Sequence, residues 1–92
     1  MELLSEIKKS FPTIEKLFDE SSWNKFMDTD YSNLSGYHFG LGTWIRNHIL
    51  AENSNLLHLF LCVGINQKDD MSALIIQLFY IDKKSKNKAA RN

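Results

Sequence analysis

The chain has 92 residues, 43% of them apolar and 12% aromatic, which suits one folded domain and excludes a disordered polypeptide or a second core. Its eleven basic and eleven acidic residues cancel, but residues 1–82 hold all eleven acids against six basic residues, while residues 83–92 hold five basic residues and no acid. An acidic body repels a phosphate backbone, so the reading is a helical domain at 1–82 followed by a basic, solvated and flexible tail at 83–92.

In chain order, Met1, Leu3, Leu4 and Ile7 recur at helical spacing and end near Pro12, which turns Phe11 away from helix and opens the next one. Residues 13–28 read as helical, with Ile14, Leu17 and Phe18 on one face, a break at Ser21 and Ser22, and Trp23, Phe26 and Met27 beyond it. Residues 28–37 are rich in Asp, Ser, Asn and Gly and read as a loop.

A helix at about 40–50 carries Leu41, Trp44, Ile45 and His48 on one stripe, and a second at 55–63 places Leu56, Leu57, Phe60 and Leu61 inward, with Asn53 or Ser54 as its cap and Gly64 after its end. Cys62, the one cysteine, lies in this apolar run and is expected to be a small buried hydrophobe. Asp69 and Asp70 open the last helix on its positive dipole end, its stripe is Met71, Leu74, Ile75, Leu78 and Phe79, and Asp82-Lys83-Lys84 closes it. No strand-pairing signal and no repeat is found, so the fold class is all-α, a compact single-domain bundle of five or six short helices.

The segment His38-Phe39-Gly40-Leu41-Gly42-Thr43-Trp44-Ile45-Arg46-Asn47 stands out. Two glycines at a helix start each cost about 1 kcal/mol relative to alanine, so they are expected to serve a turn or a close approach. Arg46 is the only arginine of the body, and a guanidinium is best satisfied by a carboxylate. Asp69 or Asp70 is its natural mate, with Asn47, Ser72 and His38 completing a polar network between the fourth and last helices and Trp44 packed beneath. A fold-defining ion pair is favoured over a ligand site.

Together with Asp69-Asp70-Met71-Ser72 and the Ile75-Ile76 pair, this segment resembles a family of small uncharacterised bacterial domains, common in Bacteroidetes and neighbouring lineages, over roughly residues 37–80. Members usually read Gly-Ile-x-x-Pro-Asp-Asp-Met-Ser at the second site, where this chain has Lys68 in place of proline. The resemblance implies a small helical fold in a bacterial or bacteriophage setting, and no activity.

The remaining chemistry is sparse. His38, His48 and His58 recur every ten residues, a spacing that does not keep them on one face, and with a single cysteine no metal site is expected. Gly40 and Gly42 lack the preceding strand of a phosphate loop, and Ser35 with His38 is a chance spacing, so neither an enzyme nor a cofactor is expected. The first 6 residues carry no basic leader and no apolar run reaches membrane-spanning length, from which cytoplasmic residence and no membrane contact are expected. The functional expectation is a non-enzymatic protein-binding module (a regulator, adaptor, immunity protein or phage-encoded inhibitor) with Trp23, Tyr31, Tyr37 and Tyr80 as interface aromatics. The alternative is a nucleic-acid-binding regulator using the basic tail.

Overall fold

A computed structural model describes residues 2–90, with side chains described as far as Lys86. Among the described residues six α-helices follow one another: α1 (Glu2–Lys9), α2 (Phe11–Glu15), α3 (Glu20–Asp28), α4 (Leu41–Trp44), α5 (Asn55–Cys62) and α6 (Lys68–Ala90). A 3-10 helix (Tyr31–Tyr37) joins α3 to α4, and α4 runs on directly into a π-helical turn (Ile45–Ile49). Among the described residues there is no strand, and the chain is a single all-α domain.

The local chemistry sets these boundaries. The break in the 13–28 stretch lies at residues 16–19 rather than at Ser21 and Ser22. Asp19 is the N-cap of α3 and forms a capping box with Ser22, its carboxylate accepting from the Ser22 backbone N–H at 2.7 Å. That bond, then the Ser22 hydroxyl, holds the Asp19 carboxyl below its ordinary value of 3.8. Ser54 caps α5 by accepting from the Leu57 backbone N–H at 3.0 Å, and Gly64 beyond the helix end takes φ +88°, the left-handed conformation that favours glycine.

The segment read as a loop at 28–37 is instead mostly 3-10 helix, seven residues long, because Leu34 is driven into the core and the short Ser and Asn residues accept a tight turn around it. The π turn resolves another irregularity. Ile45 and Leu50 are both fully buried although five residues apart, a spacing that an α-helix would send to different faces. The Leu50 N–H donates to the Ile45 carbonyl at 2.9 Å, and this wider turn brings both side chains onto the core side.

Helix α6 is the axis of the domain. Its 23 residues, about 35 Å at 1.5 Å per residue, match the 38 Å long dimension of the molecule, and α3, α4, the 3-10 helix and the π turn all pack on it. The buried positions are Met71, Ser72, Ile75, Ile76, Phe79 and Tyr80. The stripe is therefore rotated from the expected one, with Leu74 and Leu78 only half-buried, because the 3-10 helix covers the Ile76 and Tyr80 side.

Phe79 and Phe26, both with no exposed surface, anchor an aromatic cluster that takes in Phe11, Phe18, Trp23, Tyr37 and Tyr80. Three of the four aromatics expected at an interface thus belong to the packing. Tyr80 is buried and its hydroxyl donates to the Thr29 carbonyl, while Trp23 and Tyr37 are half-buried against Phe26.

Two further expectations are corrected. Cys62 is exposed, as is Leu61, because two turns of α5 bury only one stripe, Leu56, Leu57 and Phe60, and the next positions point outward. Helix α6 does not close at Lys84 but continues to Ala90. Lys83 pairs with Glu15 at 2.6 Å and Lys84 donates to the Met27 carbonyl at 2.9 Å, drawing the start of the basic segment onto the body. The remainder of the expected tail, from residue 87 for its side chains and from residue 91 altogether, lies outside the described residues.

Two outcomes are expected. Phe26→Ala should cost about 3–5 kcal/mol in urea denaturation, whereas Leu17→Ala at a half-exposed site should stay within about 1 kcal/mol. Because the Asp19 carboxyl is lowered in the folded state, its cap contributes fully above pH 3.8 and is lost as pH falls through the lowered value. The stability gap between wild type and Asp19→Ala, measured by thermal melts across pH, should therefore narrow only at acid pH.

Candidate functional site

The residues expected to form a polar network converge at the junction of α4 with α6. Arg46, on the π turn, has a mostly buried side chain whose nitrogens point to three elements. Nη1 donates to Ser72 Oγ on α6 at 3.0 Å, and Nη2 donates to Thr43 Oγ1 on α4 at 2.9 Å and to the His38 carbonyl at 3.4 Å. The Ser72 hydroxyl in turn donates to the Asp69 carbonyl at 3.1 Å. Ser72 has no exposed surface and is the only buried polar residue among those described, so these two bonds satisfy it.

Nε lies 3.5 Å from Asp69 Oδ1, and the Asp69 side chain is 70% exposed. An ion pair so long and so well solvated is worth under about 1 kcal/mol. The hydroxyl and carbonyl contacts therefore hold Arg46 more than the carboxylate does. Asp70 and Asn47 are exposed and, among the described residues, make no side-chain bond to this junction. His38 enters through its backbone carbonyl and not its ring.

Gly42 makes the junction possible. A Cβ at this buried position would stand 3.0 Å from Arg46 Nη1 and 3.5 Å from the Tyr37 carbonyl. Gly40 has open space around it, so the close approach belongs to the second glycine alone. Trp44 is half-buried at the core edge and stacks on His48 at 4.5 Å, and His48 Nδ1 lies 3.0 Å from the Trp44 carbonyl. A carbonyl can only accept, so Nδ1 carries the proton in this contact.

The clamp fixes the edge of a groove. Between the 3-10 helix, the turn at 38–40 and the middle of α6 lies a cavity of about 500 Å³. Tyr31, Ser32, Leu34 and Ser35 form one wall, His38 and Phe39 the second, and Ala73, Ile76 and Gln77 the floor. By holding the His38 carbonyl on one side and Ser72 on the other, Arg46 sets the distance between the Phe39 turn and the floor.

Phe39 is 83% exposed and Tyr31 50%, so two aromatic rings flank a partly apolar channel. The groove holds no charged side chain, and although Ser35 and His38 both line it, no side-chain hydrogen bond joins them. Phe39 lies in the segment that stands out in the sequence, but it was not among the aromatics expected at an interface. The available signal was its position in a turn, ahead of Gly40 and off the stripe of the following helix.

Comparison with known proteins adds one match to this geometry. A family model described as Domain of unknown function (DUF6794) matches residues 5–83, a span that includes the clamp and the groove. No curated protein and no solved structure matches the chain.

The clamp makes a double-mutant prediction. Arg46→Ala should cost about 1–3 kcal/mol and Asp69→Asn under about 1 kcal/mol. Gly42→Ala should destabilise the wild-type protein yet be neutral or stabilising by about 0.5–1 kcal/mol once Arg46 is alanine. Strictly additive denaturation energies for the Gly42 and Arg46 changes would show that the guanidinium yields freely to a Cβ.

Proposed function

The chain belongs to the family described as Domain of unknown function (DUF6794), which brings no activity with it, and from the groove we propose that it is a non-enzymatic protein-binding module. On this reading Tyr31, one of the four aromatics expected from the sequence, and Phe39 are the anchors of a partner contact, while Tyr80 is buried and Trp23 and Tyr37 are half-buried in the packing. The observation that carries it is the 83% exposure of Phe39 beside a 500 Å³ channel. A scattered exposed apolar residue is ordinary on any surface, but aromatic rings on both sides of one channel match the pattern of interface anchors.

The setting that goes with this reading is the cytoplasm of a bacterium or of a phage-infected cell, with the domain acting as a regulator, adaptor, immunity protein or inhibitor. Catalysis has less support. Arg46 is committed to Ser72, Thr43 and a backbone carbonyl, and Asp70 stands apart from it, so the polar groups do not converge on one reacting centre. Nucleic-acid contact through the basic end of α6 is the second reading. Against it, Lys83 and Lys84 are engaged by Glu15 and the Met27 carbonyl, and the body they rest on is acidic.

Capture from host lysate with wild type, Phe39→Ser and Tyr31→Ser as baits tests the proposal, with circular dichroism confirming that each bait is folded. A polypeptide recovered in stoichiometric amount by wild type should be lost with Phe39→Ser and reduced with Tyr31→Ser. Identical recovery by all three baits, or a mobility shift with nucleic acid that vanishes as salt is raised, would overturn it.

A further inference from the structure

Resting on the reading of this groove as a protein-binding surface, we infer that its occupant is a partner segment anchored by a tryptophan or tyrosine among uncharged neighbours, the ring over Ala73 and its polar edge on Gln77. The lining decides the charge. No charged side chain lines the channel, so a charged group would lose its water there without gaining a counter-charge. Charges around the adjoining start of α6 come in both signs, Lys68 and Arg46 with Asp69 and Asp70, and so select neither a basic nor an acidic segment.

The lining also fixes what the occupant must offer. Tyr31, Ser32, Ser35, the His38 ring and Gln77 make no side-chain hydrogen bond within the protein among the described residues. Once covered, such groups lose water and need a partner, which a purely aliphatic side chain does not supply. Tyr31 and Phe39 flank the channel with rings, and aromatic pairs gain more than their buried area alone provides. The floor brings the two demands within one side chain's reach. Ala73 leaves room for a ring, and Gln77 follows one turn later on the same face, about 6 Å along the axis at 1.5 Å per residue, with an amide that both donates and accepts.

A second copy of this chain fits the channel less well. The ring it would bring is its own Phe39, the most exposed large apolar residue among those described, and phenylalanine has no polar edge to meet Gln77. Tyr31 has such an edge, but its ring already packs on Tyr80 at 6.2 Å.

A random twelve-residue peptide library displayed on phage and selected on the full-length protein supplies the probe. The expected consensus is a Trp or Tyr set among uncharged residues. Its synthetic peptide should shift amide resonances of residues 31–39 and 73–77 and bind equally at low and high salt. Affinity should fall at least about tenfold in Phe39→Ser and in Ala73→Leu, which fills the floor, with circular dichroism confirming that each variant is folded. Exchanging the peptide's Trp or Tyr for Phe should weaken binding severalfold to wild type and hardly at all to Gln77→Leu, where the floor amide is gone. An aliphatic consensus, or a Phe exchange that costs the same in both proteins, would overturn the polar-edged anchor while leaving the groove reading standing. A charged consensus whose binding weakens with salt would overturn the uncharged segment in the same way. Peptides indifferent to both Phe39→Ser and Ala73→Leu, or no enrichment over a blank surface, would overturn the groove reading as well. A wild-type dimer in sedimentation that Phe39→Ser dissociates would replace the partner with a second copy.

Discussion

A domain of this size can bury only a limited share of its surface, and here the burial is organised around a single long helix. Helix α6 runs the length of the molecule and presents Met71, Ile75 and Phe79 with no exposed surface, and the elements from α3 to the π turn reach the core by packing on it. Phe26 meets Phe79 at 5.7 Å and Tyr80 at 5.7 Å, so α3 is held to α6 through aromatic edges. Helices α1, α2 and α5 close the remaining side through Ile7, Ile14 and Phe60.

Against this axis, Arg46 does for the 38–49 segment what apolar packing does elsewhere. Its fork reaches α4, the preceding turn and α6 at once, which a single hydrophobic contact could not do. Three local departures serve that reach. Gly42 removes a side chain from its path, the π turn puts Ile45 and Leu50 on the core side around it, and the buried Ser72 gives it an acceptor inside α6. Glycine, π turns and buried polar residues each weaken a helix in isolation. They are tolerated together here because the same guanidinium satisfies or exploits all three. The consequence is a hydrogen-bonded back to the groove, with Phe39 projecting from the turn whose His38 carbonyl Arg46 meets.

The candidate site was partly legible. Arg46 stood out as the body's only arginine, and Asp69 and Ser72 followed from the acidic start of the last helix. Nothing in one dimension ranks Asp69 above Asp70 as the partner, because both lie in the first turn of α6 and the choice depends on how that helix is rotated. Of the four expected interface aromatics, Tyr31 stays exposed, while Tyr80 is buried and Trp23 and Tyr37 are drawn into the packing for a related reason. Tyr80 and Trp23 carry polar atoms that make them plausible surface residues, yet the Tyr80 hydroxyl finds the Thr29 carbonyl and so can be buried without loss. Phe39, with no polar atom, is left outside because its turn is held by the clamp and faces away from the core.

What the sequence determined by itself is the helical class, a cap for α5 at Asn53 or Ser54, the glycine that ends that helix at Gly64 and the unusual composition of the 38–47 segment. These rest on periodicity, backbone conformation and local hydrogen bonding, all properties of neighbouring residues. Tertiary structure alone decided the 3-10 helix at Tyr31–Tyr37, the π turn at Ile45–Ile49, the extension of α6 to Ala90 and the exposure of Cys62 and Phe39. Each of those depends on which surface a side chain meets when α6 is in place. Leu34 and Leu50 must reach a core that distant residues build, and the backbone between them bends into whatever turn delivers them there.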